Sequence, residues 1–202
     1  MIIRIAAFTA AGSELAHRIK NVLSSDVVEI KTEAQALKDF VREAFEINMP
    51  IIFIGAAGIA VRSIAPFVSD KLKDSPVIVI DESGKYVIPL LSGHIGAANE
   101  TALYLSNRLN AVPVITTATD TRGLFSVDVF AKKNGLKIIN RSGIKEVSSG
   151  LLKTGRISMS ISYDIAFDKD NIPAEIDITE YPPENGCDVI IGCDEEYFSR
   201  AL

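Results

Sequence analysis

No stretch of this 202-residue chain approaches the roughly 20 unbroken apolar residues of a membrane span. The apolar start at residues 2–8 is too short for a signal-peptide core and is followed by no cleavage site. A cytoplasmic protein with no membrane partner is therefore expected. Cysteine is scarce, with only Cys187 and Cys193, and their spacing fits neither a zinc knuckle nor a redox pair with a two-residue gap. Buried thiols in a reducing cytosol are the expectation. A basic excess is missing too: the net charge of −5 leaves no electrostatic footprint for nucleic acid. Low-complexity tracts and internal repeats are also absent, which excludes wholesale disorder and solenoid architectures.

What is present is an ordinary globular composition, 48% apolar and 23% charged, in a chain somewhat longer than a typical single domain. Short Ile/Val-rich runs alternate with helical periodicity, the pattern of an α/β fold with a mainly parallel sheet and helices on both faces. Strands are expected at 2–8, 27–30, 51–54, 77–80, 87–91 and 112–115. Apolar stripes at Leu15, Ile19, Val22 and Leu23, at Leu37, Phe40, Val41, Ala44 and Phe45, and at Ala98, Ala102, Leu105 and Leu109 predict helices between them. The texture changes after Gly135. Residues 158–163 alternate polar and apolar, which predicts a half-exposed rather than a central strand, 181–186 read as a loop, and 189–191 as a last short strand. Two domains follow from this: an α/β domain at 1–135 and a small α/β appendage at 136–202. The first carries 14 basic and 14 acidic residues, the second 7 and 12, so the whole net charge sits in the second.

In open parallel sheets, ligands bind beyond the carboxyl ends of the strands, where loops vary and helix N-termini converge. Three such ends draw attention. Gly55-Ala-Ala-Gly-Ile-Ala-Val-Arg62 places Gly55, Ala56, Ala57 and Gly58 where backbone amides approach a ligand closely, with Arg62 one turn on to pair a carboxylate. It lacks the P-loop lysine and the dinucleotide glycine spacing, and a plain tight turn is an equally good reading. Ser92-Gly-His-Ile-Gly-Ala-Ala-Asn-Glu100 sets His94 between glycines at a strand-to-helix junction, where an imidazole can exchange protons near neutral pH. Ser92, Gly93, Gly96, Asn99 and Glu100 accompany it, whereas His17 lies among charged residues and reads as solvated. Thr116, Thr117 and Asp120 offer hydroxyls and a carboxylate, or a helix cap. Asp81 and Glu82, before Ser83-Gly84, read as a hairpin turn. No ligand spacing for a metal and no nucleophile elbow are found. The residues alone reach a small-molecule site for an anion.

Three ordered blocks carry more: Gly55-Ala-Ala-Gly-Ile-Ala-Val-Arg-Ser-Ile-Ala-Pro66, Pro89-Leu-Leu-Ser-Gly-His-Ile-Gly-Ala-Ala-Asn-Glu100 and Pro113-Val-Ile-Thr-Thr-Ala-Thr-Asp120. Together they closely resemble the cobalt-precorrin-5A hydrolase (CbiG-type) family of anaerobic cobalamin biosynthesis, in its N-terminal and middle regions. The resemblance implies opening of a lactone on a cobalt-bearing corrin precursor, with release of acetaldehyde. No resident cofactor is implied, since the cobalt arrives with the substrate. With that substrate in view, His94, Asn99 and Asp120 are the expected catalytic residues and Gly55, Ala56, Ala57, Gly58, Arg62, Ser92, Gly93, Gly96, Glu100, Thr116 and Thr117 the substrate-binding ones. On one shared rim, His94 would move the protons while the Ala56–Gly58 amides hold carboxylates or a developing oxyanion. The partner is an anionic cobalt-precorrin, with room for a C-terminal domain on a separate chain and for a homo-oligomer. A non-catalytic tetrapyrrole-binding or docking module is the alternative, and a sugar-phosphate or nucleotide-binding domain a weaker one.

Overall fold

The computed structural model describes residues 2–23, 28–70, 73–94, 96–165 and 172–193. It divides into two units, 1–116 and 117–202.

The first unit is a six-stranded sheet covered on both faces. Its strands are β1 (Ile3–Ala7), β2 (Val28–Ile30), β3 (Ile51–Ile54), β4 (Val77–Ile80), β5 (Tyr86–Leu91) and β6 (Val112–Pro113), in the order β2-β1-β3-β4-β5-β6. Val27, expected to open the second strand, lies outside the described residues. β3 and β4 are buried at every position, which explains why their sequences are unbroken apolar runs. Strand alternation sorts their side chains. Ile52, Ile54, Ile78 and Ile80 pack with α1 (Ala10–Leu23) and α4 (Ala98–Leu109), while Ile51, Phe53, Val77 and Val79 pack with α2 (Leu37–Glu46) and α3 (Ala57–Ile64). The predicted stripes supply the other side of each layer: Leu15 and Ile19, Ala98, Ala102 and Leu105 on one face, Phe40, Val41 and Ala44 on the other. Each of the larger side chains contributes about 1.5–3 kcal/mol by leaving water, and an alanine methyl about 0.8 kcal/mol.

The pairing is parallel except at one place. β4 and β5 are antiparallel, with Val77 level with Leu91 and Ile80 level with Val87, and β6 runs parallel to β5. The reversal is made by the tight turn Asp81–Tyr86, where the Gly84 amide donates to the Asp81 carbonyl at 2.8 Å. A turn this short can only send the chain back alongside itself. The carboxyl ends of β1, β3 and β4 therefore share one rim, and those of β5 and β6 lie on the other. The expectation that all ligand-facing turns share a single rim is corrected by this geometry.

The second unit has its own core of Phe125, Val147, Leu151, Ile157, Met159, Ile176 and Ile191. It contains the short helix α5 (Ala118–Thr121), then α6 (Val127–Lys133) and α7 (Gly143–Thr154), and β7 (Ile157–Ile161), β8 (Ile176–Thr179) and β9 (Val189–Ile191) in a parallel sheet ordered β8-β7-β9. The division falls after Thr116, earlier than the change of sequence texture at Gly135, because Leu124, Phe125, Val127 and Phe130 pack into this second core. A second correction concerns β7, which is the central strand rather than a half-exposed one. Its polar positions are serines with partners, Ser158 half-buried and Ser160 buried: Ser158 Oγ donates to Asp188 Oδ2 at 2.7 Å and Ser160 Oγ to the Glu180 carbonyl at 2.8 Å. A hydroxyl so satisfied can be buried at little cost. Alternation of polarity here records hydrogen bonding and not exposure.

Candidate functional site

On the first rim, β1 and β3 are parallel neighbours whose following helices depart to opposite faces of the sheet. This is the topological switch point at which open α/β sheets form a crevice. Gly55 turns the chain there with φ +148°, a conformation open to glycine, and a Cβ on it would sit 3.2 Å from the Phe8 ring. At the start of α3 the Ile59 amide is taken by the Ala56 carbonyl at 2.9 Å, so the amides of Ala57 and Gly58 are those that point out of the helix start. No acid occupies the first turn of α3. The Arg62 guanidinium folds back over it, with both terminal nitrogens 3.5 Å from where a Gly58 Cβ would lie. Ala56, Ala57, Gly58 and Arg62 are all exposed. Outward amides, a helix dipole and a guanidinium together favour a carboxylate.

On the second rim, the turn after β5 closes on itself. The amides that begin α4 are spent on it: Ala97 donates to the His94 carbonyl at 2.9 Å, Ala98 to Ser92 at 3.2 Å and Asn99 to Gly93 at 3.0 Å. Ser92 at φ +56° and Ala97 at φ +63° are left-handed non-glycine residues on either side of His94. Such residues cost on the order of 1–3 kcal/mol each and persist only where their surroundings dictate them. Those surroundings are evident. The Ser92 hydroxyl donates to the Asp74 carbonyl at 2.7 Å, and Asn99, 6% exposed, lies so close to Gly93 that a Cβ there would be 2.7 Å from Asn99 Oδ1. His94 itself is half-buried, and Glu100 is exposed. The turn can present an imidazole at a fixed position, next to a buried amide side chain.

Sequence reasoning missed Asp74. Its carboxylate, in a residue 5% exposed, accepts the amides of Ser69 at 3.0 Å and Asp70 at 3.1 Å, while its carbonyl receives Ser92. The only sequence signal was an Asp-Ser-Pro run ahead of a buried strand. Thr116 is exposed at the end of the first unit, and continuing the β5–β6 register would set it level with Leu90, on the second rim. Thr117 and Asp120 belong to the second unit, as N-cap position and exposed third residue of α5. The expected joint action of His94 with the Ala56–Gly58 amides is corrected: the sheet separates them by about 10 Å or more, three strand steps of about 3.3 Å plus the turns.

A three-layer α/β unit with small-residue turns on both rims, followed by a smaller unit with its own core, defines a two-unit α/β protein. Residues 39–120 match the family described as Cobalamin synthesis G N-terminal. The chain is 45% identical over 119 residues to a cobalt-precorrin-5A hydrolase of Salmonella typhimurium, covering 58% of this chain and 34% of the relative. It is 40% identical over 115 residues to one of Priestia megaterium, covering 57% and 31%. The solved structure of a cobalamin biosynthesis protein G homolog from Sulfolobus solfataricus superposes with a TM-score of 0.57 at 28% identity, over 94% of this chain and 58% of that one. These matches show that the chain resembles the CbiG-type cobalamin-synthesis proteins, as the three sequence blocks led one to expect. The matched part spans about a third of the length of the curated relatives. Among the described residues, no helix is long and apolar enough to cross a membrane.

Proposed function

We propose that this chain carries out, or contributes its N-terminal and middle regions to, the hydrolysis of the lactone of cobalt-precorrin-5A, releasing acetaldehyde and giving cobalt-precorrin-5B. The observation that carries the reading is the strained, internally bonded turn that holds His94 within residues 39–120, the segment matching the Cobalamin synthesis G N-terminal family. His94 moves the protons: it takes one from the attacking water and returns it to the departing lactone oxygen. Loss of that hydroxyl proton then lets the oxygen form the aldehyde carbonyl as the carbon–carbon bond to the macrocycle breaks, and the electron pair left on the macrocycle takes up a proton. Asn99 orients the water or the lactone from its buried position beside Gly93. On the opposite rim, Ala57, Gly58 and Arg62 hold a peripheral acetate or propionate carboxylate of the same substrate class, and they act in binding rather than in bond breaking. Thr116 and Glu100 lie at the His94 rim as substrate contacts. Thr117 and Asp120 are left outside this site.

The test is anaerobic incubation with cobalt-precorrin-5A and an assay for acetaldehyde, on the chain and on its His94→Ala variant. Release should fall at least about 100-fold in the variant, the usual weight of a general acid–base group. Near-normal release by the variant would remove His94 from the chemistry.

A further inference from the structure

The second unit contains a cavity of about 340 Å³ that the hydrolase reading leaves unused. Its walls are Phe130 and Ala131 of α6, Ile144 and Val147 of α7, and the edge strand β9, with Lys137 in the connecting segment and Cys193 beyond β9. A volume of this size, with an apolar wall and few polar groups, lies at the lower end of small-molecule sites. At about 30 Å³ for each water-sized group it takes on the order of a dozen heavy atoms.

Charge says what kind of molecule fits. Between Val129 and Lys145 the chain carries five cations, Lys132, Lys133, Lys137, Arg141 and Lys145, and no acid. From Glu146 to Leu202 the balance reverses to four cations against twelve acids. Of these five cations Lys137 lines the cavity, and the other four stand exposed along the same segment. The carboxylate in the wall, Asp188, is turned to β7, where the amide and hydroxyl of Ser158 each bond its Oδ2 at 2.7 Å. Ile139, 59% exposed, extends apolar surface along the same segment.

From the cavity and its cationic border we infer a second binding site for an amphipathic carboxylate, its apolar part of about a dozen heavy atoms between α6, α7 and β9 and its carboxylate beside Lys137. The occupant is either a free aliphatic acid or one carboxylate-bearing edge of a larger tetrapyrrole acid. The inference concerns the second unit alone and does not rest on the His94 assignment.

Cys193 provides the readout, because it is exposed and lines the cavity, while Cys187 is buried and serves as a silent internal control. Decanoate should slow alkylation of Cys193 by iodoacetamide in a saturable way. Decanol, of nearly equal size and no charge, should protect at higher concentration only. Lys137→Glu, an exposed substitution, should weaken decanoate by about fivefold, the scale of a solvent-facing charge pair. Ala131→Met should fill the space and abolish protection, and if that variant unfolds, Lys137→Glu decides. Competition by coproporphyrin I assigns the site to a tetrapyrrole edge, and protection by decanoate alone assigns it to a free aliphatic acid. Absence of saturable protection, or equal affinities for decanoate and decanol that Lys137→Glu leaves unchanged, overturns the inference. Acetaldehyde release is not read here, so neither proposal's failure can be mistaken for the other's.

Discussion

The turns after β3 and β5 resemble each other in sequence, each a small-residue run between a buried strand and a helix, yet they spend their backbone amides in opposite ways. The Gly55 turn leaves Ala57 and Gly58 pointing outward at the start of α3, whereas the Ser92–Asn99 turn returns the first amides of α4 to its own carbonyls. The difference lies in what each glycine must accommodate. At Gly55 it is a backbone angle, and at Gly93 and Gly96 it is a neighbour too close for any side chain. An open helix start can bind a charged group; a closed one can only hold a side chain still. The open helix start and the imidazole are therefore different devices on different rims.

The comparison breaks most visibly at Gly96. A Cβ there would lie 2.8 Å from the Ser92 carbonyl oxygen and 3.1 Å from Pro76 Cγ, so backbone must move. Gly96→Ala should cost about 3 kcal/mol, the upper range for forced overpacking. Gly93→Ala should cost about 2 kcal/mol, and because its clash is with one side chain, Asn99→Ala should relieve part of it. Urea unfolding of the four proteins in that cycle measures the coupling. Strict additivity of Gly93→Ala and Asn99→Ala would show that the turn is not held by this contact.

A smaller and opposite pair of effects separates the glycines of the first rim. Gly55→Ala meets both φ +148° and the Phe8 ring and should lose about 2 kcal/mol. Gly58→Ala meets only the movable tip of Arg62 at 3.5 Å and gains helix propensity, so about 0.5 kcal/mol of added stability is expected. Denaturant midpoints at constant slope check both. A destabilised Gly58→Ala would mean that the start of α3 is packed rather than open.

Much of the first unit was legible because its signals are local. The unbroken runs at 51–54 and 77–80 and the three helical stripes each follow from side-chain periodicity, and each meets the core where expected. The rim of the His94 turn was misjudged even though its signal was present: Asp81-Glu-Ser-Gly84 reads as a hairpin, and a hairpin sends β5 backward and carries that turn to the other rim. The second unit was harder to read. Its hydrogen-bonded serines mimic an exposed strand, because their partners, Asp188 and the Glu180 carbonyl, lie twenty to thirty positions away. Asp74 was hidden for the same reason, since its partner Ser92 is distant in sequence.

The hairpin turn supplies the smallest test, through pH. Burial pushes the Asp81 carboxyl up, but bonds from the Ser83 hydroxyl and from the amides of Tyr86, Ser83 and Lys85 together outweigh it and hold its pKa below the ordinary aspartate value. A depressed carboxylate stabilises the fold above its unfolded pKa, about 3.9, and that contribution disappears as pH falls through the lower folded value. Because the group is largely in contact with water, the contribution after screening is about 0.5 kcal/mol. Asp81→Asn should therefore unfold at slightly lower urea than the native chain at pH 7, and the gap should be smaller at about pH 3 and close only below the lowered folded pKa, where both turns carry a neutral side chain. A gap of the same size at both pH values would mean that the side chain holds the turn by shape alone, and that the reversal placing His94 on the far rim owes nothing to this charge.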